Sequence, residues 1–450
     1  MLLTPIVLFV ILMILLYVPP VQNFIRKQAT AIASDATGMN ISVERIDLRF
    51  PLNLLVRGVQ VVQSEADAAD VQHPDTLLNL GSLNVSVQAW PLLQGRVEVN
   101  AITLQQVAVN SSNLLEGMHI KGTLGRFFLE SHGIDLKKED AILNNVELSN
   151  THMQVMLADT TETPKDSTET AVNWRIALHN LKLKNVSVDL QMPLDSMALG
   201  ANIGDASIED ANVDLKRQFY GWRRFTLTES AVNYDSGMAA PVEGFDASHI
   251  ALRDIRIGID SVMACGRDMN AIIREFSMYD RSGLTVTSLT GRLFADSTLI
   301  RIPYLQLKTP HSDMDLTAQT YWKLVDIPTT GHLSARFNAN IGKQDVLLFA
   351  GGLPETFKEA YPFRPLVIHA GTEGNLKQMQ ISRFTAELPG AFFLSGGGEL
   401  WNLTDSLTRN GGLDFEMQTQ DLNFLTGLTG VTPDGSIICL LYTSPSPRDI

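Results

Sequence analysis

The side chains that could do chemistry are scattered through this chain. Its nine histidines form neither an H-E-x-x-H motif nor a pair at metal-ligand spacing, so no metal site is expected. His249 stands beside a strand pattern and reads as a hydrogen-bonded surface residue. Ser395, in FFLSGGGEL, lacks the G-x-S-x-G frame that lifts a nucleophile out of a strand-to-helix turn. The run Gly396–Gly398 lacks the lysine and hydroxyl of a phosphate-cradling loop and reads as a bulge or turn. Asp313 and Asp315, in HSDMDL, have the spacing to flank a sugar or a cation; a solvated strand edge is the plainer expectation. Two cysteines, Cys265 and Cys439, make neither a disulfide framework nor a metal cluster. No catalytic residue and no cofactor is expected, and the chain does not read as an enzyme.

Bulk composition narrows the partners. With 45% hydrophobic and 19% charged residues, the 450-residue chain is ordinary folding material. A net charge of −14 argues against nucleic acid, whose phosphates call for a basic face. The tail Cys439–Asp449, CLLYTSPSPRD, resembles one reading frame of a sequencing adapter. Residues 439–450 are therefore expected to be an artefact, with the gene continuing past Ile438.

At the other end, Leu2–Val18 carries no charge and is interrupted only by Thr4 and Pro5. Its length suits the lower end of the roughly 17–25 residues that span a bilayer. A cleaved signal peptide is the rival reading, but Tyr17, Pro19 and Pro20 stand where small residues belong, and Ala31–Ala33 lies too far downstream. A transmembrane anchor over 1–18 is expected. Nothing basic precedes Leu2 while Arg26 and Lys27 follow, which by charge alone points the wrong way for an exported body. An upstream start codon with a short basic leader would remove that conflict. Over 19–38, Val21, Phe24, Ile25 and Ile32 fall near helical spacing and Gly38 is a plausible stop, giving an amphipathic connecting helix packed on the first strands.

From Ile41 the period changes from helical to alternating. Leu83, Val85, Val87 and Ala89 alternate with polar residues as a half-buried strand does. An eight-residue pattern recurs: apolar–x–apolar, two non-apolar residues, apolar–x–apolar. It stands at Ile41–Leu48, Leu54–Val61, Ile102–Val109, Ala141–Leu148, Leu181–Val188, Ala206–Val213 and Ile250–Ile257. Two consecutive polar residues would throw the second half of a strand onto the wrong face. Either a bulge restores the face, or a tight turn makes a hairpin. Irregular spacing excludes a strict solenoid. Ser64–Thr76 and Ala158–Thr170 read as loops, and short helices are expected at Lys343–Ala350, Pro354–Tyr361 and Gln420–Leu428. The fold class is mainly β, and its apolar face could be a closed core or an open floor.

Several segments carry a resemblance. LTPIVLFVILMILLYVPPVQNFIRKQA (Leu3–Ala29) and TGMNISVERIDLRFPLNLLVRGVQVV (Thr37–Val62) resemble the anchor and first strands of TamB-type translocation and assembly module proteins of Bacteroidetes, in the AsmA-like superfamily. GRFFLESHGIDLKKE (Gly125–Glu139), HIALRDIRIGIDS (His249–Ser261), LKTPHSDMDL (Leu307–Leu316) and IGKQD (Ile341–Asp345) are similar too. The basic leader and the C-terminal domain that gives the family its name have no counterpart here. The resemblance implies an N-terminal transmembrane helix in the inner membrane, followed by a periplasmic body over 39–438. That body would be an elongated, curved β-sheet groove (a β-taco) with a few short helices.

Such grooves shelter acyl chains while headgroups stay in water. The implied function is a conduit for phospholipid between inner and outer membranes. The alternative is an assembly factor for outer-membrane β-barrels acting with an Omp85-type partner through strand edges. The acyl-chain positions expected from the pattern are Ile41, Val43, Ile46, Leu48, Ile102, Leu104, Val107, Val109, Leu181, Leu183, Val186, Val188, Ile250, Leu252, Ile255 and Ile257.

Overall fold

The structure is a computed structural model and describes residues 19–425 apart from 38, 50–52, 63–75, 89–98, 112–116, 136–137, 158–172 and 238. The expected anchor over 1–18, the loop at 158–170 and most of that at 64–76 lie outside the described residues, as does the tail. No described helix is long and apolar enough to cross a membrane. Helix α1 (Pro19–Thr37) is the connecting helix read from the sequence. The chain beyond it is mainly β, with few short helices.

Two compact units divide it, the first being 1–239 with 248–266, the second 240–247 with 267–450. The first unit carries β1 (Asn40–Arg49), β2 (Asn53–Val62), β3 (Thr76–Val87), β4 (Val99–Asn110), β5 (Met118–Asp135), β6 (Asp140–Leu157), β7 (Arg175–Met192), β8 (Met197–Asp214), β9 (Phe219–Ser236) and β10 (His249–Cys265). Each pairs with the next, antiparallel throughout except for the parallel step β6–β7. Helix α1 meets β1, where the Arg26 guanidinium donates to the carbonyls of Val43 (3.1 Å) and Glu44 (2.8 Å). Ser34 Oγ accepts from the Ile41 N–H at 3.1 Å. These contacts use backbone groups of the outer strand β1, which would otherwise invite pairing with another chain.

All seven occurrences of the eight-residue pattern fall inside single strands, so the tight-turn reading fails. Each strand bulges locally, but in β1–β9 its neighbours carry the extra residue one for one, without the register shift of an ordinary bulge. The extra residue recurs at one level across the sheet. In β1–β9 the apolar positions on either side of it are three residues apart rather than two: Val43 and Ile46, Val56 and Val59, Leu104 and Val107, Leu183 and Val186 are examples. Gly58, Gln106, Asn150, Asn185 and Glu229, in β2, β4, β6, β7 and β9, take left-handed φ between 51° and 61° there. The residues beside them in β3, β5 and β8 are Gly81, Gly125 and Gly204. A β-carbon at these glycines would sit 2.9, 2.8 and 2.7 Å from the Cβ of Gln106, Asn150 and Glu229 respectively. Real β-carbons do not approach so closely, so in these three antiparallel pairs the left-handed residue demands glycine beside it. In the parallel pair both residues are left-handed asparagines, and Asn185 Nδ2 donates to Asn150 Oδ1 at 3.2 Å. Ser230 Oγ donates to the Thr228 carbonyl at 2.9 Å, satisfying backbone that the bulge takes out of the ladder. A second such level crosses β6–β8, where Leu143, Leu178 and Ala211 stand three residues from Val146, Leu181 and Ile208.

The second unit holds β11 (Asp268–Asp280), β12 (Thr285–Val286), β13 (Ser288–Ala295), β14 (Leu299–Lys308), β15 (Asp313–Tyr321), β16 (Leu333–Ile341), β17 (Leu366–Gly374), β18 (Gln378–Leu388), β19 (Phe392–Trp401) and β20 (Asn410–Thr419). β11 pairs with both β12 and β13, and from β13 to β20 the strands form an antiparallel meander. Helices α2 (Trp322–Asp326), α3 (Lys343–Phe349) and α4 (Glu355–Ala360) are short, and α2 had no signal in the sequence. Phe357 and Tyr361, one turn apart, do pack together: with Leu388, Ala391 and Phe424 they form the buried cluster of this unit.

Gly396–Gly398 is neither turn nor loop but the middle of β19. Gly396 lies between Phe384 and Phe415, whose rings meet edge to face 6.4 Å apart across it. The bulge is in the partner strand β18, between Ile381 and Phe384.

Asp345 in α3 is buried, and its Oδ2 accepts from Thr309 Oγ1 (2.5 Å) and Ser312 Oγ. Ser312 Oγ also accepts the Gly342 N–H at 3.0 Å. Asp345→Ala is expected to leave these two hydroxyl protons without their acceptor and cost about 1–3 kcal/mol. Thermal unfolding checks it: a midpoint within 1 °C of wild type would mean the network contributes nothing to stability.

Candidate functional site

The register collects the apolar half of every strand of the first unit on one face. One row runs Leu48, Leu54, Val85, Ile102, Leu129, Val146, Leu181, Ile208, Phe225, Ile259. The next runs Ile46, Val56, Leu83, Leu104, Phe127, Leu148, Leu183, Ala206, Leu227, Ile257. Beyond the bulges a third begins Val43, Val59, Leu80, Val107, Leu124 and reaches Thr151, Val186 and Ile203. The fourth is Ile41, Val61, Leu78, Val109, Gly122, Met153, Val188, Ala201, Val232, Leu252. Ile255 pairs with Ser230, and Ile250 with Tyr234, one place beyond the fourth row. All sixteen positions named from the pattern are thus on this face, those of β10 standing one row further along.

The opposite face is mostly polar, with Leu55 and Phe128 among its exceptions. Its central row is Arg45, Arg57, Ser82, Gln105, Arg126, Ser149, Lys184, Asp205, Thr228. Further along, Arg223 donates to Asp210 Oδ2 at 2.7 Å and lies 2.6 Å from Glu209. The Arg223 hydrogen bond first, and that of His179 second, hold the Asp210 carboxyl below its ordinary range. These side chains are solvated and structural.

Exposure tells whether another layer covers the apolar rows. Core residues between two layers fall below a few per cent; of the sixteen, only Val186 (6%) and Ile255 (4%) are buried. Val188 is 38% exposed and the remaining thirteen are half-buried. Shielding of that degree comes from neighbours in the same sheet, and no buried hydrophobic cluster occurs in this unit among the described residues. Ten strands at about 4.8 Å, with rows about 7 Å apart, put the apolar face at the order of 1,000 Å². Exposed apolar patches of monomeric proteins are usually a few hundred Å².

Among the described residues, those weighed for chemistry in the sequence do not come together. Asp313 Oδ2 and Asp315 Oδ1 accept from the side-chain amides of Asn340 (3.1 Å) and Gln306 (2.9 Å) on the neighbouring strands. His249 is buried, at 9% exposure, and not a surface residue: it opens β10 opposite Asp235. Its place at the strand start beside a run of small polar residues hid that burial. No group of three or more metal-ligating side chains occurs among the described residues. No protein-family model matches the chain, and none of the curated proteins compared with it is similar to it.

Proposed function

We propose that this chain is a non-enzymatic conduit for phospholipid between the inner and outer membranes. Acyl chains lie along the apolar rows of the first unit and headgroups remain in water. Leu2–Val18 is the inner-membrane anchor, and the body stands in the periplasm. One observation carries the reading: four rows of mostly aliphatic side chains cross ten strands without a covering layer among the described residues. Each methylene withdrawn from water there is worth about 0.8 kcal/mol, so a lipid can be held anywhere along the floor without a shaped pocket. A conduit needs that uniformity, because a deep site would stop transit. The resemblance of Leu3–Ala29 and Thr37–Val62 to TamB-type anchors and strands supports the same reading.

Photocrosslinking tests it. The full chain, reconstituted with a phospholipid bearing a diazirine near its acyl terminus, is expected to give adducts on row residues such as Leu104, Leu148 and Leu183. Adducts confined to Leu2–Val18, or spread equally over the polar face, would refute the conduit.

A further inference from the structure

A tryptophan interrupts the polar face of the second unit. Along β18 and β19 the register alternates strictly: Met379 with Leu400 and Ile381 with Gly398 on the apolar side, Gln380 with Glu399 and Gln378 with Trp401 on the other. Asn410 of β20 continues that last row, so Trp401 is flanked by Gln378 and Asn410 on the strands to either side. An indole there buries nothing in the apolar rows. It borders a concavity of about 590 Å³ lined by Asn375, Lys377, Gln378, Trp401, Asn402 and Asn410.

The frame around it is pinned. Asn375 Oδ1 accepts the N–H groups of Lys377 (2.9 Å) and Gln378 (3.1 Å), and Asn375 Nδ2 donates to the Gly331 carbonyl at 3.0 Å. Asn402 and Asn410 both direct Nδ2 at the Thr408 carbonyl, at 3.4 and 3.0 Å. Gln378 Nε2 reaches Glu399 at 3.4 Å. Among the described residues each of these amides spends one N–H on the protein, and the carbonyl oxygens of Gln378, Asn402 and Asn410 remain as acceptors. Lys377 Nζ and the Trp401 indole N–H have no protein partner there either.

From this juxtaposition of Trp401 with amide acceptors and Lys377 we propose a saccharide-binding site, independent of the apolar rows. A pyranose has a C–H face and a rim of hydroxyls. Its positively polarised C–H bonds suit the negative face of an indole, and its hydroxyls donate to amide oxygens. The volume falls in the 300–1,000 Å³ range of small-molecule sites and takes one or two sugar rings. A nucleobase is a poorer match, since the phosphates that follow it would meet one lysine in a chain of net charge −14.

The test is ligand-observed saturation-transfer NMR on the full chain in detergent. Three probes are used: chitotriose, cellotriose and the core oligosaccharide released from lipopolysaccharide. Transfer to ring C–H protons of at least one probe is expected, and which one distinguishes a cell-wall glycan from a glycolipid headgroup. Trp401→Ala should weaken that binding at least about tenfold, while Trp401→Phe, which keeps an aromatic face, should stay within about fivefold. Gln378→Ala and Asn410→Ala, at exposed positions, should each weaken it with an unchanged melting temperature. Absence of transfer from all three probes overturns the proposal, as does wild-type binding by Trp401→Ala or by both amide variants.

Discussion

Leu183→Asp is expected to strip the first unit of bound phospholipid while leaving it folded. Leu183 sits in the second apolar row with Leu148 on one side and Ala206 on the other, mid-way across the sheet. It is only half-buried, so a carboxylate there keeps water as long as no acyl chain covers it. Covering it would desolvate the charge, and a chain that detours around it forfeits three or four methylene contacts. At about 0.8 kcal/mol each that is about 3 kcal/mol, or roughly a hundredfold in local occupancy. Leu252→Asp, in the fourth row, should act in the same direction. Asn202→Asp places the same added charge on the polar face of β8, between Ser187 and Ala231, and should do nothing. The measurement is phospholipid per protein by mass spectrometry of solvent extracts, with crosslinking to separate body from anchor. Wild-type stoichiometry on the body of Leu183→Asp, with circular dichroism unchanged, would remove the apolar rows from the function.

The reason those rows could be named from the sequence is physical. A strand writes its faces into the chain at period two, and a break of phase shared by many strands leaves a repeated signature. Gln105-Gln106, Lys184-Asn185 and Arg253-Asp254 are that signature, and they are bulges inside strands, with left-handed φ at Gln106, Asn185 and Asp254. The short helices at Lys343 and Pro354 were legible for the same reason, from local period and proline placement. Pairing between distant strands was not. That β6 and β7 run parallel, or that Gly125 faces Asn150, depends on register, which no single strand records. Gly396–Gly398 misleads for the same reason: its need for glycine comes from Asp414, Phe415, Ile381 and Gly412 on other strands. The site around Trp401 was equally hidden, because its six residues come from two turns and three strands. A weak signal existed in an aromatic at a polar phase of β19, next to Asn402.

The line of bulges makes the sharpest structural demand on the first unit, and Gly125→Ala tests it. A β-carbon at Gly125 would stand 2.8 Å from both Cβ and the carbonyl oxygen of Asn150, and 3.0 Å from the carbonyl of Ser149. The obstacle is largely backbone, so no rotamer change relieves it. β5 cannot withdraw, because β4 holds it from the other side. One methyl group should therefore cost about 2–4 kcal/mol, in the upper range for overpacking, and lower the melting temperature by roughly 6–12 °C. The same strand supplies its own control. Gly133, eight residues on, has nothing within 4 Å of its would-be β-carbon. Gly133→Ala should be neutral or add up to about 1 kcal/mol by restricting the unfolded chain. If both alanines melt alike, glycine at the bulge line is incidental and the packing account of it fails. If they diverge as expected, the apolar rows owe their shared level to alternate left-handed residues and glycines. An apolar face without steps then follows from where the backbone can approach itself most closely.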